Sequence, residues 1–136
     1  MDVRTAPSIR LVDVRVVLVM PYEGIRHGLT VLLEGMRGLE VVAQSSSVSE
    51  GVDLVHRHAP DVVILDVDAA RTVWTIHQIQ KASPTSRVVV TVDEATRAEV
   101  EGHFATDAKD HGIHAVYPGQ LMPTMRELLR GRKEAR

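Results

Sequence analysis

The sequence contains no cysteine, and this absence excludes several kinds of chemistry. Disulfide bonds, thiolate nucleophiles and cysteine-bound zinc all require that residue. Aromatic residues are also scarce, at 3% of the chain, which argues against a stacking platform for single-stranded nucleic acid. The aromatic residues are Tyr22, Trp74, Phe104 and Tyr117. We therefore expect a function that depends on neither thiol chemistry nor base stacking.

A large net charge and a long hydrophobic run are missing as well. The formal net charge of −2 creates no strong field, so we expect no direct contact with nucleic acid or a membrane. No apolar run approaches the roughly 20 residues that span a bilayer, and the amino terminus lacks a signal-peptide pattern, so we expect a cytoplasmic protein. The 136 residues, 44% hydrophobic and 25% charged, are typical of one folded globular domain.

The segment Asp61–Asp66 organises the rest of the chain. Four consecutive apolar residues, Val62 to Leu65, lie between two carboxylates. A short apolar run without alternation is typical of a central strand that is buried on both faces. Because ligands in open α/β sheets bind at the carboxyl ends of the strands, Asp66 is a candidate functional residue. The alternative is that Asp66 only ends the strand and caps the next segment.

The rest of the chain contains four further apolar strands and five segments with helical periodicity. The strand centres lie about 25 residues apart, with a helix between each pair. This pattern predicts an α/β fold with a doubly wound, five-stranded parallel sheet and helices on both faces. We expect a flexible leader at 1–10, the domain at 11–130 and the start of a linker or tail at 131–136. The predicted strands are Val14–Met20, Leu39–Ala43, Val62–Leu65, Arg87–Val92 and His114–Tyr117. The predicted helices cover Glu23–Met36, Ser47 to near Pro60, a segment that ends before Pro84, Glu94 to about Asp110, and a last helix that begins near Pro123.

Four short stretches of the chain form a recognisable set: Val17-Leu-Val19, Pro60-Asp-Val-Val-Ile-Leu-Asp66, Ser86-Arg-Val-Val-Val90 and the turn at Gly112. In these stretches the chain resembles the receiver domain of two-component response regulators, especially those joined to a LuxR-type helix-turn-helix domain. The resemblance extends from about Arg10 to Leu129. It implies a flavodoxin-like strand order, 2-1-3-4-5, with Asp66 in the position of the phosphate acceptor.

The rest of the receiver active site differs from the family pattern. Receivers have two acidic magnesium ligands after the first strand, where this chain has Met20 and Pro21. They have threonine or serine at the position aligned with Val92, and we expect Thr91, one residue earlier, to point to the opposite face. The lysine that ends their fifth strand is replaced by the run Tyr117-Pro118-Gly119.

Magnesium binding is therefore doubtful, and we expect no cofactor. The ion requires hard oxygen ligands, which a thioether and a proline ring do not supply. Asp68 could offer a second carboxylate, but it follows the third strand and would approach from another side. The altered pocket predicted from the sequence comprises Met20, Pro21, Asp68, Thr91, Val92, Tyr117 and Gly119.

Histidines are numerous but do not indicate a metal site. His56 and His58 form one close pair, and His111 and His114 form another. Neither pair has an accompanying carboxylate or the spacing of a zinc motif, so we interpret these histidines as solvent-exposed polar residues. No pattern of serine, histidine and aspartate indicates a nucleophilic enzyme either, and we expect no enzymatic activity.

The leading hypothesis is an atypical receiver that acts without phosphorylation and controls a transcription regulator through dimerisation or interdomain contacts. Its DNA-binding domain would lie outside this chain, on the carboxyl side. An alternative is a small-molecule sensor that uses the altered, more apolar pocket; an ordinary phosphoreceiver with Asp66 as acceptor ranks below it. We expect a homodimer formed through the first and last helices, or through the last helix and the fifth strand. The candidate contact residues are Met122, Met125, Leu128 and Leu129.

Overall fold

The structure is a computed structural model that describes residues 12–104 and 112–134. These residues form five strands and five α-helices in strict alternation. The strands are β1 (Val14–Val19), β2 (Leu39–Ser45), β3 (Val62–Leu65), β4 (Arg87–Thr91) and β5 (Ile113–Val116). The helices are α1 (Glu23–Glu34), α2 (Val48–His58), α3 (Thr72–Ala82), α4 (Glu94–His103) and α5 (Leu121–Glu134). Among the described residues, no helix is both long enough and apolar enough to cross a membrane.

All five strands are parallel and lie in the order β2-β1-β3-β4-β5, which confirms the predicted flavodoxin-like fold. β1 and β3 occupy the middle of the sheet. Every residue of β3 is buried, because helices cover both of its faces. Two separate cores result. One lies between the sheet and α1 with α5, and the other lies between the sheet and α2, α3 and α4.

The approach of α2 to the sheet depends on Gly51. A Cβ atom at this position would lie 2.7 Å from Cγ2 of Val19, so a larger residue would push the helix away from β1. Ser47 caps α2, since its hydroxyl accepts the backbone N–H of Glu50 at 3.3 Å. The Glu50 carboxylate accepts the hydroxyl of Ser45 at 2.6 Å. These contacts fix the loop between β2 and α2.

Asp61 and Asp66 lie at opposite edges of the sheet, one on each side of β3. At the amino-terminal edge, Asp61 Oδ2 accepts the backbone N–H of Arg15 at 2.8 Å. Asp61 Oδ1 pairs with the guanidinium of Arg132 at 2.9 Å, which ties the last turns of α5 to β3. Asp61 therefore has a structural role, and only Asp66 lies at the edge where α/β folds bind ligands.

Several predicted boundaries require correction. α1 ends at Glu34 and α4 ends at His103, both earlier than predicted. The predicted continuation of the fourth helix to Asp110 falls partly on residues 105–111, which lie outside the described residues, as does the predicted leader at 1–10. α5 continues to Glu134, so the expected tail begins as helix.

Two of the four residues predicted as dimer contacts on the last helix are not exposed. Met125 is completely buried and Leu129 is 7% exposed, because both pack into the core between α5 and the sheet. Met122 and Leu128 are half-buried against the same core. The exposed apolar side chains of this layer lie on α1 instead, where Ile25, Val31 and Leu32 are each about 60% exposed.

Candidate functional site

Asp66 follows β3 directly and is half-buried at the carboxyl edge of the sheet. Its backbone N–H donates to the carbonyl of Val19 at 3.0 Å, which holds it beside the end of β1. Its side-chain Oδ2 accepts the hydroxyl of Thr91 at 2.8 Å. The carboxylate is therefore held in one orientation by a neighbouring strand.

The position of Thr91 corrects the expectation that this side chain points away from Asp66. β3 and β4 pair in parallel with Leu65 opposite Val90. The next residues, Asp66 and Thr91, therefore also lie side by side. Val92 comes after the strand and is 5% exposed. The register of the two strands, and not the count along one of them, decides which residue reaches the carboxylate.

A cavity of about 360 Å³ opens beside this pair, and we call it the Asp66 cavity. Its apolar lining includes Val92 and Tyr117, as predicted. Its polar lining is larger than predicted, because a second carboxylate and two further hydroxyls contribute to it. These are Asp93, Thr72 and Thr96. The cavity is therefore mixed and acidic rather than simply apolar.

Asp93 is committed to the start of α4. Its Oδ1 accepts the backbone N–H of Thr96 at 2.8 Å and so caps the helix. The bond from the Thr96 backbone, with help from the Thr96 hydroxyl, lowers the pKa of Asp93 below its ordinary value. Asp93 is therefore a second negative charge in the cavity at neutral pH.

Tyr117 stands where receivers have a lysine, and a cation is nearby. The guanidinium of Arg97 lies 5.0 Å from the centroid of the Tyr117 ring, and its Nε lies 3.3 Å from Oε2 of Glu101. The side chains of Tyr117 and Glu101 raise the pKa of Arg97 further above its ordinary value. Arg97 does not line the Asp66 cavity. Gly119 lies exposed in the 3₁₀ turn Pro118–Gln120. It lines neither the Asp66 cavity nor the second cavity described below.

Met20 does not belong to the pocket predicted for it. Its side chain is 3% exposed and packs into the core beneath α1. A long apolar side chain gains more free energy by packing there than by lining a cavity open to water. The backbone carbonyl of Met20 accepts a hydrogen bond from Arg26 Nη1 at 2.8 Å. Of the two residues after β1, Pro21 is exposed and lines a cavity, whereas Met20 does not.

Pro21 lines a second cavity of about 410 Å³, which we call the serine cavity. It lies between the loops that follow β1, β2 and β3 and includes Asp68, which is exposed. The predicted pocket is therefore divided. Thr91, Val92 and Tyr117 line the Asp66 cavity, whereas Pro21 and Asp68 line the serine cavity. Sequence reasoning missed Arg71, Ser46 and Ser49, which also line it. No motif marks them, because they meet only through the fold.

The residues at the end of β1 do not fit the magnesium ion that the receiver resemblance implies. The thioether of Met20 is buried, and the ring of Pro21 offers no oxygen. Within residues 12–104 and 112–134, no group of three or more histidine, aspartate or glutamate side chains is arranged to hold a metal ion. Asp66 and Thr91 are therefore present without the two acidic side chains that receivers have after the first strand.

No family model matches the chain. The chain is 39% identical over 54 residues to the transcriptional regulatory protein LiaR of Bacillus subtilis, covering 40% of this chain and 26% of that protein. It is 31% identical over 124 residues to protein-glutamate methylesterase/protein-glutamine glutaminase 1 of Oleidesulfovibrio alaskensis, covering 89% of this chain and 32% of that protein. The chain thus spans about a quarter to a third of the length of these curated relatives.

Solved structures show the same likeness at the level of the fold. The crystal structure of a LuxR-family two-component response regulator from Aurantimonas superposes with a TM-score of 0.64 at 20% identity, covering 88% of this chain and 86% of that chain. The response regulator domain of Thermotoga maritima CheB gives a TM-score of 0.67 at 18% identity, covering 90% and 96%. The chain has the fold of a response-regulator receiver domain.

Proposed function

We propose that this chain is an atypical receiver domain that controls a transcription regulator without being phosphorylated. The observation that carries the proposal is the state of the β1 end, where Met20 is built into the core and Pro21 provides no metal ligand. Asp66 keeps a hydrogen-bond partner in Thr91, but without a divalent cation the charge that develops on a transferred phosphoryl group is not neutralised. The DNA-binding domain would belong to the same protein outside this chain.

A titration with beryllofluoride and magnesium tests this function. Beryllofluoride imitates a phosphoryl group on aspartate, and an ordinary receiver binds it only with the metal in place. We expect no change in the amide resonances of Asp66 and Thr91 up to saturating concentrations. Magnesium-dependent, saturable shifts of these two amides would support an ordinary phosphoreceiver instead.

The output of the domain, in this proposal, is pairing with a second copy through the outer face of α1. Three large apolar side chains on that face are exposed: Ile25, Val31 and Leu32. A Cβ atom at Gly24 or Gly28 would meet nothing within 4 Å, so the helix backbone itself is open to close approach. A two-fold axis beside α1 would place the same apolar residues of both copies against each other, as a symmetric dimer requires. The half-buried Met122 and Leu128 could extend the interface.

Sedimentation of matched variants tests the pairing. Leu32→Glu puts a charge in the proposed interface, whereas Trp74→Glu changes a similarly exposed apolar residue (52%) on the opposite side of the sheet. We expect the wild type and Trp74→Glu to sediment as dimers at micromolar concentration and Leu32→Glu to sediment as a monomer. A monomeric wild type, or a dimer that survives Leu32→Glu, would contradict the proposal.

A second candidate function, sensing of a small molecule, is supported by the two cavities of about 360 and 410 Å³ at the ligand edge of the sheet. A ligand there would bridge loops from several strands and could bias the pairing of α1. A thermal-shift screen of metabolites tests this function. We expect at least one compound to raise the melting temperature in a concentration-dependent manner; a full screen without such a compound would contradict sensing.

A further inference from the structure

The serine cavity lies where three loops meet at the carboxyl edge of the sheet. Pro21 and Tyr22 come from the loop after β1, and Asp68 with Arg71 from the segment after β3. Ser46 lies in the connection between β2 and α2, and Ser49 lies in the first turn of α2. Its volume of about 410 Å³ falls within the range of small-molecule sites. It adjoins the Asp66 cavity, and Val67 lines both.

The cavity contains one positive and one negative side chain that do not pair with each other. No ion pair within 4.0 Å joins Arg71 to Asp68, and neither has another charged partner among the residues that the structure describes. The guanidinium of Arg71 instead lies 5.8 Å from the ring centroid of Trp74. Each charge therefore remains available to a ligand.

The presence of one positive and one negative side chain in the cavity limits the chemistry of that ligand. A simple anion would be attracted by Arg71 but repelled by Asp68, and a metal cation would experience the reverse. A molecule that has both signs of charge satisfies both groups at once. The hydroxyl groups of Tyr22, Ser46 and Ser49 both donate and accept hydrogen bonds, so they suit the polar atoms between the two charges.

We propose that the serine cavity binds a free amino acid or a close zwitterionic derivative, with its carboxylate at Arg71 and its ammonium group at Asp68. The proposal rests on the second candidate function, sensing of a small molecule, and names the ligand class and the site. The planar guanidinium suits a carboxylate because it offers two parallel N–H donors. Pro21 lines the cavity without a charge and therefore does not repel the carboxylate of an amino acid.

Trp74, the single tryptophan of the chain, provides the readout. A carboxylate that binds Arg71 changes the cationic environment of the Trp74 ring and therefore its fluorescence. The wild-type chain is titrated with each of the common L-amino acids. The tightest binder is then compared with its two halves, the amine that lacks the carboxylate and the acid that lacks the ammonium group. We expect saturable binding of the amino acid and about tenfold or weaker binding of each half, because each half leaves one charge of the site unmatched.

Variants measured by calorimetric titration locate the site independently of tryptophan fluorescence. Arg71→Gln and Asp68→Asn each remove one charge from the cavity. Arg57→Gln and Asp53→Asn are matched controls, because these exposed residues of α2 do not line it. We expect the cavity variants to weaken binding about tenfold and the controls to bind like the wild type.

Three results would overturn the proposal: no amino acid binds, either half binds as tightly as the whole, or the cavity variants bind like the wild type. A different compound whose binding is weakened by Thr91→Val but not by Arg71→Gln would also overturn this site and ligand class. That result would leave small-molecule sensing in place and assign it to the Asp66 cavity. Failure of the amino-acid site can thus be distinguished from failure of small-molecule sensing.

Discussion

The two sides of the crevice at the carboxyl edge of the sheet differ in how closely they follow the receiver pattern. On the side of β3 and β4, Asp66 stands at the acceptor position of the pattern, and the hydroxyl of Thr91 donates to it over 2.8 Å. On the side of β1, Met20 is buried in the core and Pro21 faces a different cavity. One side therefore retains its polar chemistry, whereas the other has become part of the packing of the domain.

This difference shows that the two sides depend on different physical constraints. The contact between Asp66 and Thr91 follows from the register of two central strands, which the buried faces of the sheet hold in place. Met20, the residue after β1, lies in the core between the sheet and α1, and its long apolar side chain adds to that core. Where the receiver pattern has an acidic residue, this chain therefore has a residue of the core.

The largest expected effect is that of restoring an acid at Met20. Met20→Asp removes a buried side chain and places a carboxylate near the core, so we expect a loss of about 3 kcal/mol or more in the free energy of unfolding. Pro21→Asp, at the neighbouring exposed position, should change it by no more than about 0.5 kcal/mol. Urea unfolding of both variants measures the difference. Similar effects of the two substitutions would show that the β1 end is not part of the packing.

The other side of the crevice is tested at Thr91. Thr91→Val keeps the shape of the side chain but removes the hydroxyl that donates to Asp66, and we expect a loss of about 1 kcal/mol in the free energy of unfolding. Thr91→Ser keeps the hydroxyl and serves as the matched control. Equal stability of Thr91→Val and wild type would show that water replaces the bond without cost.

Thr75 gives the opposite case, a buried hydroxyl without a partner. It is completely buried on α3, and its Oγ1 has no hydrogen-bond partner among the described residues. Thr75→Val removes the unsatisfied group at nearly constant volume. We therefore expect the free energy of unfolding to rise by about 1 kcal/mol, as measured by thermal or chemical unfolding. A loss of stability would show that the hydroxyl has a partner.

The smallest effect concerns His114 on β5, whose Nε2 is buried without a partner among the described residues. Burial lowers the pKa of His114, and the charge of Arg87 lowers it further. The unfolded chain therefore binds the proton more readily, and stability should fall as the pH drops below about 6.5, the ordinary pKa of histidine. Unfolding curves from pH 7 to pH 5 for wild type and His114→Gln measure this slope. His27→Gln, at an exposed position, is the control and should show the same dependence of stability on pH as the wild type.

The fold was predictable from the sequence because it depends on short-range patterns. Four uninterrupted apolar residues, Val62 to Leu65, indicate a strand buried on both faces, and the helical stripes between the strands require a parallel sheet. The site was predictable only in part. Asp66 follows its strand directly, but whether Thr91 or Val92 reaches it depends on the register between two strands, which no local pattern contains.

Two other differences between the predicted and the observed site also arise from contacts between distant parts of the chain. The stripe of Met125 and Leu129 indicates an apolar face, but the sequence does not show how much of that face the sheet covers. Arg71 and Asp68 are ordinary charged residues in a loop, and only the positions of the loops after β1 and β2 make them part of a cavity. Contacts between distant segments are therefore what the sequence alone failed to predict.

The most direct test of the central claim is the mass of the intact chain after incubation with acetyl phosphate and magnesium. Because Met20 and Pro21 supply no ligand for the ion, we expect the wild type to keep its mass, as Asp66→Asn does. Addition of one phosphoryl group to the wild type but not to Asp66→Asn would contradict the account and make the domain an ordinary phosphoreceiver.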